Sequence, residues 1–257
     1  MQLRLSTLFS IILCYTVFLL QPVPAHCGEP VLFITEHAPP LVYPEKGVLK
    51  GYSIELAKAV WDKMNIAKPN FRVQPWARSI KYFNSKTPTC LFPASLTTSR
   101  CKKYRCVAFP TSYKIGILAH KKDKARFITD AQLKQSRIIT ARLSSTMKIL
   151  IQLGFSEKNF DYGPTVHACV KKFAKGRAPL ITGDVSSILY NYANIGKKIS
   201  NLYVIKNIAT LQQGFIFNNA VPQSYVLAFK KALTTVVNSK KGKALHRAYF
   251  SLNKTRP

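Results

Sequence analysis

Residues 31–64, VLFITEHAPPLVYPEKGVLKGYSIELAKAVWDKM, decide the class of fold. Val31 to Thr35 is a short apolar run of the kind found in a strand covered on both faces. Pro39-Pro40 and the stretch Pro44 to Gly47 are turn signals. From Tyr52 to Met64, apolar Ile54, Leu56, Ala57, Val60, Trp61 and Met64 recur at helical spacing, which puts one apolar stripe on a helix. Strand, turn and helix in that order are the unit from which α/β proteins are built.

The same alternation continues outward. Phe71 to Gln74 reads as a strand and Ala77 to Phe83 as a helix. Cys90 to Pro93 reads as a third strand, ending in the polar loop Ala94 to Arg100. Tyr113 to His120 is extended and apolar, and the basic run Lys121 to Arg126 follows it. A second series then begins: strand Arg137 to Thr140, helix Ser144 to Leu153, helix Val166 to Lys175, strand Leu180 to Thr182 and helix Val185 to Ala193. Asn201 to Ile208 and Gln213 to Asn218 are extended, and Ser224 to Asn238 and Lys241 to Tyr249 are terminal helices.

Two α/β series joined by extended segments predict two lobes, each a mostly parallel sheet flanked by helices. One lobe takes residues 26–115 and 209–257, and the other 116–208. The crossings near Tyr113–Ala119 and Leu202–Ile208 are expected to form a hinge. Open α/β sheets bind ligands beyond the carboxyl ends of their strands, and domain interfaces favour pockets, so the loops after each strand are where a site is expected.

Residues 1–25 read as a cleaved secretory signal. Arg4 supplies the positive start, Leu5 to Leu20 the apolar core, and Val23-Pro24-Ala25 a small-residue cleavage site behind the helix-breaking Gln21-Pro22. The apolar run is short for ~30 Å of hydrocarbon at about 1.5 Å per residue, which disfavours an uncleaved anchor. A periplasmic location follows. Removing Arg4 lowers the formal charge from +29 to +28, an excess that attracts phosphates, anionic lipid or cell-wall polymers without choosing among them. With 47% hydrophobic residues the chain is not a disordered tail. With one long apolar run it is not a multi-span membrane protein. Cys27, Cys90, Cys101, Cys106 and Cys169 remain after cleavage, an odd number. Cys101 and Cys106 are close enough for a short loop to close a bridge between them, although connectivity is not fixed by sequence.

At the loops after the strands the chain resembles the bacterial extracellular solute-binding proteins of family 3. The resemblance rests on four stretches in order. The first is Thr35-Glu-His-Ala-Pro-Pro40 with Gly51-Tyr-Ser-Ile-Glu-Leu56, and the second is Pro75-Trp-Ala-Arg78. The third is Ser95-Leu-Thr-Thr-Ser-Arg100 with Phe109 to Tyr113, and the fourth is Lys175-Gly-Arg177 with Asp184. The resemblance implies the two-lobe periplasmic-binding-protein fold. It also implies a monomeric receptor that hands a small polar ligand, an amino acid or related zwitterion or anion, to an inner-membrane ABC permease.

Carried over by position, Arg100 clamps a ligand carboxylate, and a planar, permanently charged guanidinium suits that task. Asp184 accepts from an α-ammonium, and Ser95 and Thr97 add hydroxyls on the first lobe. Ser144 and Ser145 stand at a helix start, where free N–H groups favour an anion. The aromatic that covers the ligand has His37, Tyr43, Tyr52 and Trp76 as candidates. Two departures stand out: Leu143 occupies a place where relatives carry Gly, and Pro179 one where they carry Asp.

Each of these residues has a plainer reading. Arg100 could be one surface cation among 39 Lys and Arg residues. Asp184, Ser144 and Ser145 could be helix caps, and Trp76 lobe packing. His167-Ala-Cys169 and His26-Cys27 lack zinc-type spacing, so neither a metal nor another cofactor is expected. Two rival functions remain. One is a dehydratase-like enzyme on the same scaffold, with Glu36, His37, Glu55 and Asp184 as its candidate acids and bases. The other is a polyanion-binding protein, while the absence of interleaved aromatic and basic residues argues against nucleic acid.

Overall fold

The structure is a computed structural model and describes residues 30–250. The signal segment and Cys27 lie outside them. The first series comprises β1 (Leu32–Thr35), β2 (Tyr43–Glu45), β3 (Val48–Lys50), α1 (Tyr52–Met64), β4 (Phe71–Val73), α2 (Trp76–Phe83) and β5 (Thr89–Ser95). Helix α3 (Thr98–Lys103) leads into β6 (Arg105–His120). The second series comprises α4 (Asp130–Gln135), β7 (Ile138–Ala141), α5 (Ser145–Gln152), β8 (Phe160–Gly163), α6 (Val166–Ala174), β9 (Leu180–Asp184) and α7 (Val185–Asn194). Strand β10 (Leu202–Phe217) returns the chain to α8 (Gln223–Asn238) and α9 (Lys240–Phe250).

Eight strands form one sheet in the order β4-β1-β5-β10-β6-β9-β7-β8. β1 is parallel to β4 and β5, and β7 is parallel to β8 and β9. The long strands β6 and β10 run antiparallel to each other and to β9 and β5 respectively. Each wing is therefore a parallel α/β sheet, and the two central strands run through both.

Apolar side chains gather separately in the two wings. Phe33, Trp61, Phe92, Phe215, Phe217 and Phe229 anchor the larger cluster, with α1 and α8 against the sheet. Several of these rings meet edge to face, as aromatic quadrupoles prefer. In the other wing, Leu118, Ile139, Val170, Phe173 and Ile181 lie on one side of the sheet, and Ile117, Ile138, Leu150 and Leu180 belong to a second cluster. The apolar stripe of α1 buries Ile54, Leu56, Ala57, Val60 and Trp61, as its spacing predicts. Gly51, ahead of α1, has φ 127°, and a Cβ there would collide with the Leu41 carbonyl, so only glycine fits.

Several elements differ from the sequence reading. Residues 43–50 form a β-hairpin whose turn residues Lys46 and Gly47 are both left-handed, as a twist-matched two-residue turn requires. Thr98–Lys103 is helix rather than loop; it buries no residue, so no apolar stripe announces it. β8 is a strand of only four residues, and the first half of β6 alternates buried Val107 and Phe109 with exposed Ala108 and Pro110, a pattern the sequence reading passed over. The apolar run Ile115–Ala119, read as part of a crossing, is fully buried, and its first four residues pair with β9. The sheet narrows to two strands slightly earlier, where Ser112, Tyr113 and Lys114 face Gln212, Leu211 and Thr210.

Candidate functional site

The carboxyl ends of β1, β5, β7 and β9 converge on a cavity of about 120 Å³ between the wings. Its charged lining consists of Glu36, Arg100 and Asp184, and its hydroxyls come from Ser95, Tyr113, Ser144, Ser145, Thr146, Thr182 and Ser187.

Arg100 reaches the cavity by local folding. Thr97 caps α3 by accepting the Arg100 backbone N–H at 3.3 Å, which turns the chain sharply after β5. The guanidinium then donates to the Ser95 carbonyl at 3.0 Å and lies 4.9 Å above the centre of the Trp76 ring. Burial lowers its affinity for a proton. Among the described residues no carboxylate lies within 4 Å of it. Cys101, the next residue, is bonded to Cys106, with the Cα atoms 5.5 Å apart, so the helix carrying Arg100 is stapled to the start of β6.

Asp184 ends β9 in the opposite wing. It caps α7 by accepting the backbone N–H groups of Ser186 (2.9 Å) and Ser187 (3.4 Å), and it also lines the cavity. The plain and the functional readings of this residue are therefore compatible. Burial raises its pKa to about 6 against those two hydrogen bonds. Glu36, just after β1, accepts a hydrogen bond from the Trp76 backbone N–H and is pushed by burial to about 7. Neither carboxylate has a cationic partner within 4 Å among the described residues. The Ser187 hydroxyl is buried with no hydrogen-bond partner there.

Two direct bonds join the wings across the cavity. Ser95 Oγ and Ser145 Oγ are 2.7 Å apart, and Ser95 also contacts the Tyr113 hydroxyl. The Trp76 indole N–H donates to the Leu143 carbonyl at 3.0 Å. Leu143 has φ 57°, a left-handed conformation that glycine adopts more readily than leucine. Ser144 caps α5 by accepting from the Met147 N–H.

Of the residues the sequence singled out, Arg100, Asp184, Ser95, Ser144, Ser145 and Trp76 line this cavity. Thr97 and Tyr52 do not. Thr97 serves as a helix cap, and Tyr52 is 1% exposed, with its ring against Phe109, His246 and Tyr249 in the core. It was a candidate only as one of the residues the resemblance left open for the aromatic that covers a ligand. Of the acids considered for catalysis, Glu36 and Asp184 line the cavity, whereas Glu55 pairs with Lys58 and His37 is exposed. Glu36 and Tyr113 are cavity residues that were not assigned to ligand. Their signal was present, since Glu36 directly follows the first strand and Tyr113 closes the Phe109 stretch. Among the described residues no group of three or more His, Cys, Asp or Glu is placed to hold a metal, and no helix is long and apolar enough to cross a membrane.

The family model for bacterial extracellular solute-binding proteins, family 3, matches residues 31–252. No curated protein matches the chain. Among solved structures, a histidine kinase sensor domain with similarity to periplasmic binding proteins is 16% identical, with a TM-score of 0.73 over 86% of this chain and 96% of that one. The arginine-, lysine-, histidine-binding protein ArtJ from the thermophilic bacterium Geobacillus stearothermophilus is 17% identical, with a TM-score of 0.71 over 88% of this chain and 99% of that one. The ancestral amino acid-binding protein AncCDT-1, a precursor of cyclohexadienyl dehydratase, is 17% identical, with a TM-score of 0.69 over 86% and 95%. At these identities the likeness concerns the fold.

Proposed function

The chain belongs to the bacterial extracellular solute-binding proteins of family 3, and on that premise we propose that it captures a small zwitterion, an amino acid or a close relative, between its lobes. The observation that carries this reading is the unpaired charge in the cavity. A guanidinium and two carboxyls line one cavity and, among the described residues, have no ion-pair partner within 4 Å. Buried charge of this kind is costly until paired. A guest with one carboxylate and at least one amino group completes the set. Its carboxylate takes the fork of Arg100, and its ammonium lies between Asp184 and Glu36. The Ser144–Ser145 helix start and the Ser95 hydroxyl supply further polar contacts, and Trp76 covers the guanidinium.

The lobes are residues 26–115 with 209–257, and 116–208, and the two-strand neck between them is the hinge. Because Arg100 and Glu36 sit on one lobe and Asp184 on the other, the guest interacts best with the closed form and shifts the population towards it. In this reading the protein is a periplasmic monomer that delivers its ligand to an inner-membrane permease without catalysing a reaction. ArtJ and the ancestral amino acid-binding protein share the fold and bind amino acids, which supports the ligand class.

Thermal-shift titration with amino acids tests the proposal. Ligand at 100 times Kd stabilises by about 2.7 kcal/mol. Arg100→Ala is expected to abolish that shift while Lys122→Ala retains it. Equal, small effects from both variants would remove Arg100 from the site. A second reading is favoured by Glu36, whose pKa of about 7 suits a general acid or base. Turnover of prephenate-like substrates by the purified protein, lost in Glu36→Gln, would establish an enzyme instead.

A further inference from the structure

The ten acidic residues of the chain face 39 Lys and Arg residues, and most of the acids are already engaged. Glu45, Glu55, Asp62, Asp123, Asp130 and Asp161 form the ion pairs of the described residues, and Glu36 and Asp184 belong to the ligand cavity. The positive excess is thus left without internal neutralisation, and at one place it becomes concave.

That place is a cleft of about 840 Å³ at the far end of the second lobe. Lys121, Lys122 and Arg126 enter it from the turn after β6, and Lys197 enters from the segment after α7. His120 and Tyr192 also line it. The His120 ring stacks on Phe173, with centroids 4.4 Å apart, and the Tyr192 hydroxyl lies 3.5 Å from His120 Nδ1. Asp123 is the acid that lines the cleft, and it is paired with Arg126. Lys121, Lys122 and Lys197 have no carboxylate within 4 Å among the described residues.

Lysines near the ends of α6 and α7 could serve merely to offset the negative helix termini. The terminal carbonyls have other partners, however. Lys171, Lys172 and Phe173 accept from the backbone N–H groups of Lys175, Arg177 and Gly176, and Tyr192 and Ala193 accept from Lys197 and Gly196. These carbonyls are therefore hydrogen-bonded without help from the ammonium groups of the cleft. A concave wall of one sign focuses the field and concentrates counter-ions.

We propose that this cleft is a second binding site, for a polyvalent anion of the phosphate class, either free or carried as a lipid headgroup. Three of its four cations have no carboxylate partner among the described residues, and its one acidic side chain is paired with the fourth, so it suits a guest with more than one negative charge. The site is independent of the ligand cavity. Pro179, just before β9, lines the cleft and Asp184 at the end of that strand lines the cavity. The two are separated by roughly 17 Å at about 3.3 Å per residue.

Calorimetric titration of the intact mature protein with inorganic tripolyphosphate tests the proposal at fixed ionic strength, alongside flotation with phosphatidylglycerol and phosphatidylcholine vesicles. The wild type is expected to bind tripolyphosphate saturably. The triple variant Lys121→Ala, Lys122→Ala, Lys197→Ala should weaken that binding at least tenfold. The control Lys230→Ala, Lys231→Ala, Lys240→Ala removes the same charge from α8 and α9 and should change it less than twofold. Flotation with phosphatidylglycerol only, displaced by tripolyphosphate, assigns a headgroup; no flotation alongside saturable tripolyphosphate binding assigns a free anion. Equal losses in the two triple variants, or no saturable binding, would overturn the proposal. Amino-acid binding in the cavity is read separately and should be unchanged in both variants, so failure here leaves that reading intact.

Discussion

At the scale of single residues, the two cavity carboxyls make a prediction whose sign is fixed. Glu36 titrates near 7 in the folded protein against an ordinary 4.5, and Asp184 near 6 against 3.8. Between the ordinary and the raised value the folded chain holds a proton that the unfolded chain has released. Stability of the empty protein therefore falls as pH rises through that window, and the penalty is complete above about 7. A guest ammonium favours the ionised carboxylates, so binding expels protons. Affinity is expected to improve at least tenfold per pH unit up to about pH 6 and to level off above about 7. Glu36→Gln should flatten the upper part of that curve, and calorimetry at several pH values measures it. A pH-independent Kd would mean that the carboxyls do not meet the guest's charge. Residue roles were partly legible in the sequence. Arg100 and Asp184 were candidates because they lie at or shortly after the carboxyl end of a strand, where open α/β sheets bind ligands, and both line the cavity. Tyr52 was a candidate only as one of the residues open for the covering aromatic, and residue type does not say whether a ring meets a cavity or, as here, the core.

At the scale of elements, α3 is the weakest support for the strongest charge. It has six residues and buries none of them, so neither propensity nor packing would hold it alone. What holds it is the Thr97 cap and the Cys101–Cys106 bridge. Replacing both cysteines by serine is expected to cost about 2 kcal/mol by the loop-entropy argument. It should also weaken amino-acid affinity several-fold, because Arg100 adjoins Cys101. Denaturant titration and calorimetry on the double variant check both effects; unchanged affinity would show that β5 alone positions the guanidinium. The strongly periodic elements α1, α7 and α8 were readable because one face of each is buried in a core. The hairpin at 43–50, α3 and β8 were not, since they are short and gain their order from pairing and caps rather than from an apolar stripe.

At the scale of the whole molecule, the question is what keeps the lobes together. The direct bonds across the cavity, Trp76 to Leu143 and Ser95 to Ser145, are each worth about 1 kcal/mol net. That is little to hold two lobes together across a two-strand neck, and in the proposed reading closure draws on the guest's own ion pairs. The radius of gyration measured by X-ray scattering should therefore be larger without ligand and shrink on saturation. Trp76→Phe keeps a ring over Arg100 but removes the indole donor to Leu143. If the lost bond forms only on closure, the cost should appear mainly in dissociation, with Kd rising about fivefold and the association rate nearly unchanged. Stopped-flow binding separates the two rates. A variant that slowed association instead would place the Trp76–Leu143 contact in the open protein, and the lobes would then have to be joined before the guest arrives.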